Sequence, residues 1–551
     1  MRPSVQFSHL SFRAMRILSY NIYRTGVFLA IWAALGTHIV SAQDVPSDPN
    51  FHNADSVVQR IYTEGMQHSR TEELARVLMD SIGPRLTGSP ANRAANDWLV
   101  RSYSAWGIPA HNEQYGTWRD WTRGPSRIEL VAPRMRTLEA TALAWSPATP
   151  PGGVTGDVVA LPPASDTRDA DGFARWLKTV RGKFVLLTVP QLSCRPDTSW
   201  ARYALPAEYQ AMRAARDSAR ADWRSRVRAA GQGGQSLDAQ LAAAGVAGIL
   251  TSWWSGGWGV SKIMWAGTTT TPVFGVSCED YGLLARLAAH GQHPRVRAFA
   301  DVHTASKESP VYNTIAELKG TEHPEQYVML SAHLDSWDAG SGATDNGTGT
   351  IVILEAMRIL KLVYPHPKRT ILVGHWSGEE EGEFGSDAFA EDHPEIVRGL
   401  QALFNQDDGT GRITNISSSG LAEGPVALTR WMSPLPASLT DSIQNVLGAA
   451  EGQSTDVDAF ACRGAPAFDL NSVRWNYGAY TWHTNRDTFD KISFDEVERT
   501  ATLVALLVYE ASEDPQQFAR TQQGGYSCSQ AGRNWNAARA QQQHLIPVPA
   551  L

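Results

Sequence analysis

A chain of 551 residues is too long for one ordinary hydrophobic core, so two or more structural units sharing a surface are expected. Hydrophobic residues at 42% and charged residues at 19% read as a folded globular protein and exclude a disordered one. The net charge of −7 gives no support to nucleic-acid binding.

Residues 1–42 carry Arg2, Arg13, Arg16 and Arg24 and no acid, then the apolar run GVFLAIWAALGTHIV closing on SAQ. This is the pattern of a secretory signal cut after Ala42, with an uncleaved N-terminal anchor as the alternative. The apolar run is short for a membrane span, and nothing downstream approaches the ~20 apolar residues a span requires. Cleavage removes four of the 49 basic residues and none of the 56 acidic ones, which takes the net charge from −7 to −11. The expected destination is the periplasm or the extracellular space. There, Cys194, Cys278, Cys462 and Cys528 allow two disulfides in any of three connectivities, and the sequence does not choose among them. With no C-x-x-C, a thiolate zinc knuckle or a redox pair is not expected.

From Asp55 to about Gly107 the pattern is helical, with Leu74, Val77 and Leu78 on one face, interrupted by IGPRLTGSP. Between about Trp121 and Ala300 the texture changes to short β-rich runs (GDVVAL, GKFVLLTV, AGILTS, TPVFGVS) separated by Gly and Pro turns. The Ala/Arg-rich stretch 206–230 interrupts them and reads as a solvated surface helix. From Val311 onward strand, loop and helix alternate. YVMLSA suits a strand buried on both faces, GTIVILEAMRILKLV is a helix stopping before Pro365, and RTILVGHWS and LQALFNQ are further strands. The fold class that follows is α/β, a mainly parallel mixed sheet with helices on both faces. In such sheets ligands collect beyond the carboxyl ends of the strands.

Those ends carry the chemistry. The first strand delivers His333 and Asp335, the loop after it Asp345, the next strand Glu379, Glu380 and Glu381, and the third Asp407 and Asp408, while a late loop adds His483. Taken singly, Asp345 reads as a helix N-cap, the three glutamates as a solvated acidic turn, and His483 as a packing histidine. Together they put several carboxylates at one end of one sheet, where uncompensated charges would repel. A bound cation removes that conflict. Imidazole with carboxylate suits zinc and is open to manganese or cobalt. Two imidazoles and four carboxylates exceed the needs of one tetrahedral ion, so two ions sharing a bridging carboxylate are expected. Asp335, two residues from His333 on a strand end, can accept the second N–H of that ring and orient it. There is no H-E-x-x-H, no G-x-S-x-G and no phosphate loop ending in G-K-[ST].

The motifs SAHLDSWDAGSGATDNGTG, SGEEEGEFGS, FNQDDGTG and YTWHTNRDTFDKI resemble those of the co-catalytic zinc exopeptidase family, which includes leucyl aminopeptidases, glutamate carboxypeptidases and, with lost activity, transferrin receptors. The resemblance covers most of the chain after the leader. It implies two zinc ions held by His333, Asp345, Glu380, Asp407 and His483, with Asp345 bridging and Glu379 as general base. It also implies a protease-associated insertion at 121–300, between an N-terminal part (43–120) and the rest (301–520) of a peptidase domain, followed by a C-terminal tail (521–551). Val457 stands where many aminopeptidases of the family carry a histidine. The activity implied is hydrolysis of dipeptides or short peptides from the carboxyl end, or alternatively removal of N-terminal residues. The expected partner is the peptide substrate, with a second copy of the chain as a further candidate. A metal-free receptor module on the same fold would show broken ligand positions, and here all are present.

Overall fold

The computed structural model describes residues 55–167, 170–230, 236–305, 307–448, 454–521, 523 and 528. The 1–42 leader and nearly all of the 521–551 tail lie outside the described residues. Among the described residues no helix is long and apolar enough to cross a membrane.

The first of two eight-stranded sheets has the strand order Ala110–Trp118, Ser309–Leu318, Arg369–Trp376, His323–His333, Leu400–Gln406, Ala467–Ser472, Ile413–Ser417, Gln444–Val446. Its four central strands, from Arg369–Trp376 to Ala467–Ser472, run parallel, and antiparallel pairs flank them. Central parallel strands are covered on both faces, which is why they are continuous apolar runs. Helices Ser56–Gln67, Thr348–Val363 and Phe494–Glu513 pack one face through Ile61, Ile353 and Leu506, among others. Phe389 and Phe460, on helices Phe384–Asp392 and Val457–Ala461, cover the other face around Trp376. The Trp376 indole needs the space above Gly374, where a Cβ would lie 2.1 Å from the ring.

Parallel alignment brings the strand ends to one edge. His333 pairs in register with Trp376, and Ser331 with Asn405, so the turns starting at Leu334, Ser377 and Asp407 emerge side by side. Asp345 does not cap the following helix. The cap position is Gly347, and Asp345 is extended (φ −133°, ψ 94°) ahead of a cis peptide to Asn346. The capping oxygen is Asn346 Oδ1, which accepts from the Gly349 amide at 3.0 Å.

Residues 121–304 build the second sheet, in the order Arg136–Leu138, Trp121–Ala132, Arg295–Thr304, Val154–Ala160, Phe184–Leu186, Gly248–Thr251, Val273–Val276, Ala140–Ala142. Helix Pro206–Ala230 lies mostly in solvent, anchored by Trp223, whose indole N–H donates to the Leu187 carbonyl, and by buried Arg216, paired with Asp197. The disulfides are Cys194–Cys278 within this module and Cys462–Cys528 beside the first sheet.

Candidate metal centre

Beyond the carboxyl edge of the first sheet, two three-residue groups converge: His333, Glu379 and Asp407, and Asp345, Glu380 and His483. His333 Nε2 lies 3.1 Å from Asp407 Oδ1, 3.6 Å from Asp345 Oδ1 and 3.9 Å from Glu379 Oε2. His483 Nε2 lies 2.8 Å from Glu380 Oε2 and 3.3 Å from Asp345 Oδ2. The two oxygens of Asp345 therefore face different imidazoles. Neighbouring donor atoms around a tetrahedral zinc with bonds near 2.0–2.1 Å sit about 3.3 Å apart. The distances here scatter around that value.

His333 is prepared to be a ligand. Its Nδ1 is 3.1 Å from the Asp335 main-chain carbonyl, which can only accept, so Nδ1 carries a proton and Nε2 is the ring atom turned to the cluster. Asp335 supplies this acceptor through its main chain. The orienting acceptor is its carbonyl, whereas its carboxylate, 3.6 Å from Nδ1, accepts the amides of Glu379 (3.3 Å) and Glu380 (3.2 Å) and the Thr87 hydroxyl (3.1 Å). Asp335 thus ties the histidine strand to the glutamate turn.

The adjacent acids separate cleanly. Asp407 meets His333 and takes the Thr455 hydroxyl at 2.7 Å, while Asp408 turns away to accept the Ser472 amide at 3.0 Å. Glu379 and Glu380 each join one group, and Glu381 joins neither. Glu381 is buried, and burial with Asp335 nearby holds its carboxyl well above the usual range.

Sequence reading missed two supporting residues. Arg85, in the turn IGPRLTGSP, is fully buried and donates to the carbonyls of Leu334 (2.6 Å), Gly83 (3.0 Å), Ser341 (2.8 Å) and Gly342 (2.8 Å). Asp487 accepts the Thr344 amide and hydroxyl, both at 2.8 Å, and the Asp345 amide at 3.0 Å. The available signals were an arginine set in a Gly/Pro break and a carboxylate four residues after His483. The aromatic stretch Tyr477–Tyr480 lies beside the centre: burial and the nearby Asp345 charge raise the Tyr477 phenol well above its usual range, and Tyr480 packs over Gly257 of the second module.

Electrostatics show what the cluster lacks. Burial pushes the Glu380 carboxyl up to about 7 against the pull of His483, and burial likewise raises Glu379 against that of His333. Asp487 is pushed up to about 7 by burial and by Asp345. Burial would lower the histidines, but the carboxylates outweigh it and raise both. Asp345 Oδ2 and both oxygens of Glu380 are buried without a hydrogen-bond donor. Buried acceptors of this kind are costly unless a cation takes them, so donor set, spacing and unsatisfied oxygens all fit a divalent metal such as zinc.

Residues 313–508 match the profile described as Peptidase family M28. Carboxypeptidase Q from Mus musculus is 25% identical over 474 residues, covering 86% of this chain and 92% of the mouse protein. Carboxypeptidase Q from Rattus norvegicus is 26% identical over 502 residues, covering 91% and 95%. Leucine aminopeptidase 1 from Coccidioides posadasii is 28% identical over 220 residues, 36% of this chain and 55% of the fungal one. Among solved structures, a peptidase M28 precursor from Shewanella amazonensis superposes with a TM-score of 0.63 at 22% identity, covering 85% of this chain and 98% of that one. A zinc aminopeptidase from Bacillus subtilis gives 0.52 at 18%, covering 82% and 97%. These likenesses show the fold.

Proposed function

We propose that this chain, a metallopeptidase whose residues 313–508 match Peptidase family M28, is an exported exopeptidase with two zinc ions that cleaves dipeptides or short peptides, with action at the carboxyl end in keeping with the name of its relative carboxypeptidase Q. The single observation that carries the two-ion reading is Asp345, whose oxygens lie 3.6 Å from one imidazole and 3.3 Å from the other. His333 and Asp407 would hold one ion, Glu380 and His483 the second, and Asp345 both. When bound, the ions supply Lewis acidity to the scissile carbonyl and make the attacking water more acidic.

The remaining work falls to the chain. Glu379, beside His333 and only partly exposed, removes a proton from the attacking water and returns it to the leaving amine. Burial raises its proton affinity, which suits a group that must both take and give a proton near neutral pH. Asp335, by accepting the Glu379 and Glu380 amides, keeps base and ligand apart in consecutive positions. The 121–304 module, a protease-associated-type insertion in this reading, walls the cleft beside the His483 loop. Two disulfides accord with an oxidising compartment and hence with export.

Aminopeptidase action is the second reading, favoured by the partial match to leucine aminopeptidase 1. The deciding experiment compares hydrolysis of a free dipeptide with that of its N-acetylated form by the zinc-loaded chain. Cleavage of both establishes the carboxyl end as the handle. Loss on acetylation leaves a strict dipeptidase or an aminopeptidase, and silence on both refutes the peptidase proposal.

A further inference from the structure

The loop that carries His483 is held from outside its own domain. Lys262 stands on the second module, in the segment that leaves the isolated bridge Trp254–Ser261. Its Nζ donates to the carbonyls of Trp482 at 2.7 Å and Gly478 at 3.0 Å, the turn immediately before His483. The same ammonium sits 3.9 Å over the Trp482 ring, and that ring stacks on the His483 imidazole with centroids 4.1 Å apart and planes 29° from parallel. On its other side the imidazole meets the edge of Trp337 at 6.1 Å. Main-chain bonds complete the attachment: Ile263 donates its amide to the His483 carbonyl at 2.7 Å, Asn485 donates its amide to the Ser261 carbonyl at 3.1 Å, and Lys262 pairs with Thr484 as an isolated bridge.

His483 needs this support because its backbone is unusual. Its φ is +55°, a strained region for a non-glycine residue, and one that persists only where surroundings impose it. The turn before it is a single helical turn, Tyr477–Tyr480, whose carbonyls have no continuing helix to accept from. Lys262 fills that role at Gly478 and Trp482, and its charge over the indole fixes the plane against which the imidazole lies.

We propose that Lys262 is a positioning residue for His483, so that the 121–304 module completes one of the two metal sites as well as walling the cleft. The inference rests on the two-ion reading above. Loss of the ammonium frees the turn and the indole, and the imidazole loses its fixed direction toward Asp345 and Glu380. Outer-sphere partners of metal ligands are worth roughly 10–100-fold in metal affinity, and that loss is expected at one ion only.

The test uses the full chain, stripped of metal and titrated with zinc against a chromophoric chelator, for the unsubstituted protein, Lys262→Met and Lys262→Arg. Lys262→Met is expected to bind one ion with unchanged affinity and the other roughly 10–100-fold more weakly. Lys262→Arg, which keeps the charge and the donors, recovers most of the loss. Hydrogen exchange of residues 477–484 in the metal-free proteins should rise in Lys262→Met and nowhere else in the first-sheet domain. Equal weakening of both ions with a lowered melting temperature would mean a general structural role and overturn the proposal, as would two unchanged affinities. If the unsubstituted chain binds fewer than two ions, the two-ion reading falls, and the exchange arm alone decides about Lys262: unchanged protection of 477–484 overturns it.

Discussion

Arg85→Met removes the guanidinium that fastens the loop behind the metal centre. Three carbonyls, those of Gly83, Leu334 and Ser341, then lose this donor, whereas Gly342 keeps the Gly347 amide at 3.0 Å. A buried acceptor left unpaired costs on the order of 1–3 kcal/mol. Taking about 1.5 kcal/mol for each of these three gives a loss of roughly 4–5 kcal/mol. Against this stands the relief of no longer burying a cation. Burial pulls the Arg85 pKa down to about 10 despite the attraction of Asp487, Asp335, Asp345 and Glu380. That depression corresponds to about 3 kcal/mol at 1.36 kcal/mol per pKa unit. The expected net destabilisation is therefore about 1–2 kcal/mol. Denaturant unfolding of the metal-loaded protein, reading both midpoint and slope, measures it. Arg85→Lys separates charge from geometry, because an ammonium keeps the charge but cannot fork to four carbonyls. It should recover less than half of the loss. A destabilisation below about 0.5 kcal/mol in Arg85→Met, with metal uptake intact, would refute the reasoning, since the carbonyls would then be satisfied without the guanidinium.

Glu379→Gln should retain both metal ions and lose turnover by roughly 10²–10⁴-fold, because an amide cannot take the proton from water; substantial residual kcat would remove Glu379 as the base. The metal-free protein should lose stability as pH rises. Burial pushes Asp456 up to about 8 and Asp469 and Asp487 up to about 7, so these carboxyls bind protons more tightly folded than unfolded. Their stabilising contribution is whole below the unfolded value near 3.9 and is lost as pH climbs through 7 to 8. Melting temperatures of metal-free protein from pH 5 to 8 should fall, with added zinc restoring most of the difference at pH 8; a flat or rising profile contradicts the assignment. Reducing Cys194–Cys278, which closes 84 residues of chain, should destabilise the 121–304 module by up to about 4–5 kcal/mol. Proteolysis under reducing conditions should therefore cut first within that module, and first cuts elsewhere would show that the bridge is not its main constraint.

Some of the centre was legible because its parts are local in sequence. His333 and Asp345 share one loop, Glu379 and Glu380 are adjacent, and alternation of strand and helix places such loops at a common edge. Taken singly, Asp345 looked like a helix cap, since a short helix start and a ligand-bearing turn look alike in composition and differ in backbone dihedrals; its grouping with the other acids made it a ligand candidate. Local reading also left open which atom of Asp335 meets the ring, because spacing along a strand tells which face a residue occupies and not whether its carbonyl or its carboxylate is the acceptor.

By itself, then, the sequence determined the fold class and the order in which chemical groups reach the carboxyl edge of the sheet, since hydrophobic period and strand-end position are properties of short segments. The family resemblance had singled out Glu379, Glu380 and Asp407 among their acidic neighbours; tertiary structure alone decided which histidine each of them faces and which cysteines pair. It alone brought Arg85 onto carbonyls some 250 residues away and Lys262 onto the turn before His483. Hydrogen-bond directions and buried-charge balance depend on distances between segments remote in the chain. No periodicity or spacing along one segment encodes them.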